Sequence, residues 1–186
     1  MRFALRFFCY VLGIGLALDA FFGPCIQALL PLFKGLLTLI DSHFEVISAQ
    51  VVQVGDAQVI DFEVRLAKAF WLGKHFIAVD PSGVAHASTT LMHLWQSLAV
   101  CLALILSWPG IRMHKRLLAL AYGLLGTLLV WCIDVPFVLL AALWQMIYAH
   151  YAIPDFSMLT DWQQVLENGG RLILGLMVGC LAIFLT

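Results

Sequence analysis

Five side chains that can transfer a proton or attack a carbonyl group lie close together near the middle of the chain. They are His86, Ser88, Thr89, Thr90 and His93. A serine hydroxyl becomes a strong nucleophile when a histidine accepts its proton and a third group orients that histidine. Ser88 is the candidate nucleophile, with His86 or His93 as its base. Asp134 is the candidate orienting carboxylate, and together these residues suggest a serine hydrolase or transpeptidase.

The same hydroxyl groups have a second, purely structural interpretation. Serine and threonine are common at helix N-caps, where the side-chain oxygen accepts a hydrogen bond from a backbone N–H of the first turn. An apolar run begins at Leu91, so Ser88 and Thr89 stand where a helix is expected to start. Because proximity in sequence does not establish contact between serine and histidine, we favour the cap over the nucleophile.

Further charged and polar residues lie in or beside apolar segments. Asp19 and Asp134 are such residues, and an ionised carboxylate within the membrane costs a few kcal/mol unless it has a partner or a wet cavity. Arg171 is the expected partner of Asp134 or of Glu167. Glu167 and Asn168 begin a polar turn before the last apolar run, and we predict binding or structural roles for this polar set.

The histidines and cysteines lack the spacing that is typical of a metal site. No HxH, HExxH or i,i+4 histidine pair occurs, and none of the five cysteines forms a CxxC pair. We therefore predict no metal and no cofactor. The net charge of −1 and the lack of a basic stripe also argue against nucleic acid as a partner.

The composition predicts an integral membrane protein. Of the 186 residues, 63% are hydrophobic and 11% are charged, whereas a soluble domain is about half apolar and about a quarter charged. An apolar excess of this size must face lipid or other membrane proteins. The predicted fold class is mainly α, with about four transmembrane helices and a small extracytoplasmic β element between the first and second.

The predicted segments follow from the apolar runs and the turn residues between them. We place spans at about 3–40, 91–108, 117–149 and 168–186, a β insert at 41–83, a basic cytoplasmic loop at 109–116 and an outer loop at 150–167. The first span is expected to break within 23–31, because Pro24 and Pro31 remove helix hydrogen bonds; residues 25–40 either complete the crossing or lie in the interface. Gly175 and Gly179 form a GxxxG pattern, which is typical of closely packed helices.

The β insert shows the alternation of a half-exposed strand. Apolar residues at alternate positions would share one face. They are Ile60, Phe62 and Val64. Gly55 and Asp56 suit a hairpin turn between this strand and the one before it. An insert of about forty residues is too small to be stable alone, so we predict that this apolar face packs on the membrane or on a partner.

Basic residues in short segments predict the orientation. Arg112, Lys115 and Arg116 lie within five positions between two spans, and Arg2 and Arg6 precede the first. Short loops rich in lysine and arginine stay on the cytoplasmic side. We therefore predict a multi-pass protein, in the inner membrane of a bacterium, with both termini in the cytoplasm.

The chain also resembles a known family over about residues 30–186. The motif consists of Val84, Ala85, His86, Ala87, Ser88, Thr89, Thr90 and Leu91. In its layout, and in the basic turn over 112–116 that follows, the chain resembles the core of the exosortase and archaeosortase family. That resemblance implies a membrane protein acting at the outer face, where members of the family process sorting-signal proteins with a cysteine, an arginine and a histidine.

The chain departs from the family at each catalytic position. Ser88 stands in place of the cysteine, and Asp134 or an apolar neighbour stands in place of the arginine. Glu167 and Asn168 fall near the position of the histidine. A thiolate is a better nucleophile than an unassisted hydroxyl, and losing the arginine removes stabilisation of negative charge. We expect a non-catalytic relative that binds or positions a membrane or exported protein; a serine enzyme is the alternative, and a homo-oligomer is left open.

Overall fold

The computed structural model describes residues 2–80, 82–153 and 158–186. Its elements are α1 (Arg2–Ile40), β1 (Phe44–Val54), β2 (Ala57–Leu66), β3 (Phe70–Leu72), β4 (His75–Ile77), β5 (Ala85–Thr90), α2 (Leu91–Ser107), α3 (Met113–His150), α4 (Met158–Val165), a π-helical turn (Leu166–Gly170) and α5 (Arg171–Phe184). The chain divides into two units. Unit 1 contains 1–24, 91–131 and 166–186, and unit 2 contains 25–90 and 132–165.

Among the described residues, three helical segments are long and apolar enough to cross a membrane. They are Phe21–Ile40, Met113–His150 and Met158–Phe184. Helix α2 is also apolar but has only 17 residues. These features confirm a mainly helical membrane protein with a small sheet, whereas four spans and their orientation stay predictions.

The first helix has no break where we predicted one. Helix α1 runs from Arg2 to Ile40 through both Pro24 and Pro31. Proline removes one backbone donor from a helix, but membrane helices tolerate this because neighbouring groups and local adjustments satisfy the freed carbonyl. Turn chemistry alone therefore overestimated the effect of the two prolines.

Within unit 1, α5 packs closely against α2 through its two glycines. A Cβ atom added to Gly175 would lie 2.5 Å from the carbonyl oxygen of Ser97. One added to Gly179 would lie 3.3 Å from the carbonyl oxygen of Cys101. The GxxxG pattern thus marks a close helix contact, as the sequence predicted.

Trp131 anchors α3 to α2 in the same unit. Its indole Nε1 donates to the carbonyl oxygen of Leu94 at 3.1 Å and to the hydroxyl of Ser97 at 3.3 Å. The ring of Phe22 meets it edge-on, with 5.3 Å between ring centroids. A buried indole needs an acceptor for its N–H, and α2 supplies two.

Unit 2 contains an antiparallel sheet with the order β1-β2-β5. The β1–β2 hairpin turns at Gly55 and Asp56, with Val54 paired to Ala57 and Gly55 at φ 61°. This confirms the predicted hairpin, because glycine accepts a positive φ without steric cost. Strands β3 and β4 form a second hairpin.

The hydroxyl-rich segment is a strand and not the start of a helix. Thr89 pairs with Ile60, and Ser88 pairs with Asp61; α2 begins only at Leu91. The helix-cap interpretation of Ser88 and Thr89 was therefore wrong. β-Branched threonine favours extended backbone, and β2 offers a partner edge that satisfies the backbone groups of this segment.

The apolar face of β2 forms the core of unit 2. Ile60, Phe62 and Val64 are all 0% exposed. They are not accessible, so they do not form the partner-binding surface that we predicted. The alternation identified the correct face, but that face is already covered by this protein.

The predicted outer loop at 150–167 contains helix α4. A kink follows it, where Asn168 and Gly169 leave helical geometry and Gly169 reaches φ 101°. Glycine is the residue that best accepts this conformation. The kink marks the boundary between α4 and α5.

Candidate functional site

Two of the predicted catalytic residues lie on the polar face of the sheet, beside an acid that the sequence analysis did not select. Nδ1 of His86 is 3.2 Å from Oδ2 of Asp61. Ser88 is directly opposite Asp61 in the β2–β5 register. Residues in such a pair have their Cβ atoms about 5 Å apart. The alternation along β2 already placed Asp61 on this face, but the strand pairing was needed to identify its neighbours.

The other two predicted catalytic residues belong to helices. His93 is on the first turns of α2, in unit 1. Asp134 is 3% exposed within α3, and the carboxylate beside His86 is Asp61. His86 and Ser88 therefore share a sheet face with Asp61, and a cluster that also includes His93 and Asp134 stays a prediction.

The polar face is open to its surroundings. The side chain of His86 is 58% exposed, and Ser88 is exposed. Acyl transfer depends on preorganised donors for a developing oxyanion in a site that excludes water. An exposed sheet face does not exclude water. The geometry therefore favours a structural contact between His86 and Asp61 on the protein surface over catalysis.

Neighbouring carboxylates on the same face already have partners. The hydroxyl of Ser48 donates to Oε2 of Glu63 at 2.7 Å. Arg65 and Glu45 form an ion pair at 2.8 Å across β1 and β2. These contacts give the face a network of cross-strand pairs, which is typical of a solvated sheet surface.

An aromatic cluster joins α3 to the segment before β1 within unit 2. Asp41 accepts hydrogen bonds from the backbone N–H of His43 at 2.9 Å and from Nε1 of Trp144 at 3.0 Å. The His43 ring lies 4.8 Å from that of Phe70 and 6.2 Å from that of Trp144. The sequence offered no signal for this cluster, since its members are up to 103 positions apart.

A cavity of about 450 Å³ lies at the end of this sheet. We call it the sheet-end cavity, and it lies between β2, β4, α3 and residues 78, 80 and 83–85. Its lining consists of Phe44, Val64, Arg65, Leu66, Ile77, Ala78, Asp80, Gly83, Val84, Ala85, Leu143, Met146, Ile147, His150 and Tyr151. Most of these are apolar, while Arg65, Asp80 and His150 add charge or hydrogen-bonding groups. This mixture is typical of ligand sites.

The acid in this lining is held in its charged form. The hydroxyl of Ser82 donates to Oδ1 of Asp80 at 2.7 Å, and the backbone N–H of Ser82 donates to the same atom at 2.9 Å. These bonds, the hydroxyl bond first, lower the pKa of Asp80 because they stabilise the carboxylate. The sheet-end cavity therefore carries a negative group through the physiological pH range.

The remaining predicted polar residues are distributed along the helices. Asp19 is exposed on α1, and Glu167 and Asn168 are exposed in the π-helical turn. Arg171 is 2% exposed at the start of α5. Asp134 belongs to unit 2 and Arg171 to unit 1, and an ion pair between them stays a prediction.

Within 2–80, 82–153 and 158–186, no three histidine, cysteine, aspartate or glutamate residues are grouped as a metal site requires. Comparison with known proteins finds no matching family model, no matching curated protein and no matching solved structure.

Proposed function

We propose that this chain is a non-catalytic, exosortase-like membrane protein that binds an extended segment of a membrane or exported protein in the sheet-end cavity. The observation that carries this proposal is the cavity itself, with its apolar lining and its charged residues at the edge of a small sheet. We place the protein in the bacterial inner membrane, with both termini cytoplasmic and the sheet outside.

The lining of the cavity matches a peptide better than a small polar metabolite. Apolar lining residues that are at least partly exposed, such as Val84, Met146 and Ile147, can cover an apolar side chain, and burying such a side chain contributes about 1.5–3 kcal/mol. Asp80 and Arg65 can pair with peptide backbone or charged groups at the rim. A cavity of about 450 Å³ accommodates a few residues, so the bound element is a short segment.

The neighbouring strand offers a second mode of contact. Strand β5 is at the end of the order β1-β2-β5, and no strand among the described residues pairs with its outer side. An extended peptide can add to such an edge through main-chain hydrogen bonds while its side chains fill adjacent pockets. Val84 and Ala85 belong to the cavity lining, and Ala85 begins β5, so both contacts can be made by one segment.

A serine hydrolase is the second candidate, and one contact favours it. Asp61 lies 3.2 Å from Nδ1 of His86, as an orienting acid lies beside the base of a triad. Against it stand the exposure of His86 and Ser88 and the serine found at the family's cysteine position. We therefore prefer the binding function.

Photocrosslinking in native membranes tests the proposal. A photoreactive residue at Val84, in the cavity lining, should capture one membrane or exported protein through an extended segment of that protein. The same residue at Val54, which is 60% exposed at the tip of the β1–β2 hairpin, is the matched control and should not capture it.

The crosslinked peptide must be mapped by mass spectrometry. Crosslinks that begin at Val84 and end in one defined segment support the proposal. Capture of only a second copy of this chain would instead indicate a homo-oligomer, and equal capture from Val54 and Val84 would contradict a specific site.

A further inference from the structure

A second, nearly apolar groove of about 540 Å³ lies between α3 and α4. We call it the α3–α4 groove. Its lining residues are Ile133, Phe137, Met158, Leu159, Asp161, Trp162 and Val165. The two helices are also joined by a hydrogen bond from Nε2 of Gln145 to the hydroxyl of Thr160, at 3.4 Å. The groove shares no residue with the sheet-end cavity, so it is a separate site.

The position of the groove along α3 determines what surrounds it. Helix α3 is long and apolar enough to cross a membrane, and basic residues at its start fix one end at the headgroups. Phe137 follows Arg116 by 21 residues, and about 20 residues cross the hydrocarbon. Ile133 and Phe137 therefore lie near the opposite surface of the hydrocarbon, where lipid chains meet their ester groups.

One polar group in the lining lacks a hydrogen-bond partner in the part of the chain that the structure describes. Nε1 of Trp162 is buried and has no hydrogen-bond acceptor among the described residues. A buried indole N–H usually has an acceptor, and leaving it unsatisfied is unfavourable. The ester carbonyl of a membrane lipid is an acceptor available at this depth.

The charges near the groove select among lipid headgroups. Asp161 is exposed in the lining, and no lysine or arginine occurs between 151 and 170. An anionic headgroup would meet a carboxylate with no nearby cation in this segment. A headgroup that carries an ammonium group can pair with that carboxylate.

We propose that the α3–α4 groove binds one phospholipid with an amine headgroup, such as phosphatidylethanolamine. One acyl chain lies against Ile133 and Phe137, an ester carbonyl accepts from Trp162, and the ammonium group faces Asp161. This inference does not depend on the function proposed for the sheet-end cavity.

Native mass spectrometry of the full-length protein in mild detergent tests this site. Phosphatidylethanolamine and phosphatidylglycerol with identical acyl chains are added separately, and the fraction of protein that retains one lipid is measured. We expect retention of phosphatidylethanolamine to exceed that of phosphatidylglycerol by about tenfold, since one charge-assisted contact contributes roughly 1.5 kcal/mol.

Two matched pairs of variants locate the bound lipid. Ile133→Trp fills the groove, whereas Leu129→Trp adds the same ring to an exposed position of α3 that is not in its lining. Trp162→Phe removes the indole donor, and Trp71→Phe does so at an exposed position on β3. We expect Ile133→Trp and Trp162→Phe alone to reduce retention, each by about fivefold or more.

Several outcomes would overturn the site. Equal retention of the two lipids would contradict the proposed preference for an amine headgroup. Equal effects of Ile133→Trp and Leu129→Trp would show that lipid binds outside this groove. Retention of detergent or of a second protein copy in place of lipid would assign the groove to another occupant.

Discussion

Nε1 of Trp144 donates a 3.0 Å hydrogen bond to Oδ2 of Asp41. This bond fixes α3 to the segment that leads into β1. Leu143, Met146 and Ile147 line the sheet-end cavity from α3. The contact between Asp41 and Trp144 therefore positions one wall of the proposed binding site against the sheet.

Trp144→Phe should destabilise the protein. The substitution keeps the aromatic packing but removes the donor to a partly buried carboxylate, and a hydrogen bond to a charged group contributes about 1.5–3 kcal/mol. Trp71→Phe is the control, because Trp71 is 70% exposed on β3. Free energies of unfolding in mixed micelles should fall for Trp144→Phe alone; equal losses for both variants would count against the role of this bond.

The packing of α5 on α2 predicts that replacing a glycine by alanine destabilises the protein only where the glycine contacts the other helix. Gly175→Ala places a methyl group against the backbone of Ser97, and overpacking of this kind costs about 1–3 kcal/mol. At Gly13 no atom outside its own helix and chain neighbours lies within 4 Å of an added Cβ. Gly13→Ala should therefore be neutral or stabilising, because alanine has the higher helix propensity. Thermal unfolding of the two variants measures the difference, and similar midpoints would contradict the close contact.

Local pattern predicted much of the fold. The apolar runs, the hairpin turn at Gly55 and the GxxxG contact all depend on residues close in sequence, where periodicity and turn chemistry are informative. The strand containing Ser88 was missed because hydroxyl residues before an apolar run also suit a helix cap. Only its pairing with β2, about 25 residues earlier, favours the strand.

The sites were harder to predict because they depend on tertiary contacts. Ser88 and His86 were selected, but Asp61 was not, since cross-strand register joins them. Asp41 and Trp144 are 103 positions apart, and no short motif links them. The alternation of Ile60, Phe62 and Val64 identified an apolar face without revealing that the protein itself covers it.

Removing one donor should change the titration of Asp80. In Ser82→Ala, the hydroxyl bond to Asp80 is lost, while the backbone N–H bond remains. Because the hydroxyl is the largest cause of the lowered pKa, the pKa of Asp80 should rise toward its usual range. Carbon NMR of the labelled carboxyl group, compared between the natural protein and Ser82→Ala, measures this shift. An unchanged Asp80 titration would show that the hydroxyl contact is absent in solution.

The binding account also predicts how Ser88 reacts. A serine-directed acylating probe should not label Ser88, because Ser88 and His86 are both exposed on a sheet face that does not exclude water. Intact mass after incubation with the probe is compared for the natural protein, Ser88→Ala and His86→Gln. Labelling that disappears in both variants would support the serine enzyme in place of the binding protein.

Filling the sheet-end cavity tests the central claim most directly. Ala78→Trp adds a ring to its lining, and Ala67→Trp adds the same ring to an exposed turn outside it. The measurement is the yield of the crosslink from a photoreactive residue at Val84 in native membranes. We predict that Ala78→Trp lowers the yield by about tenfold, as loss of roughly 1.4 kcal/mol of binding would, while Ala67→Trp leaves it unchanged. Equal yields in the two variants, or no crosslinked partner at Val84, would contradict the proposed function.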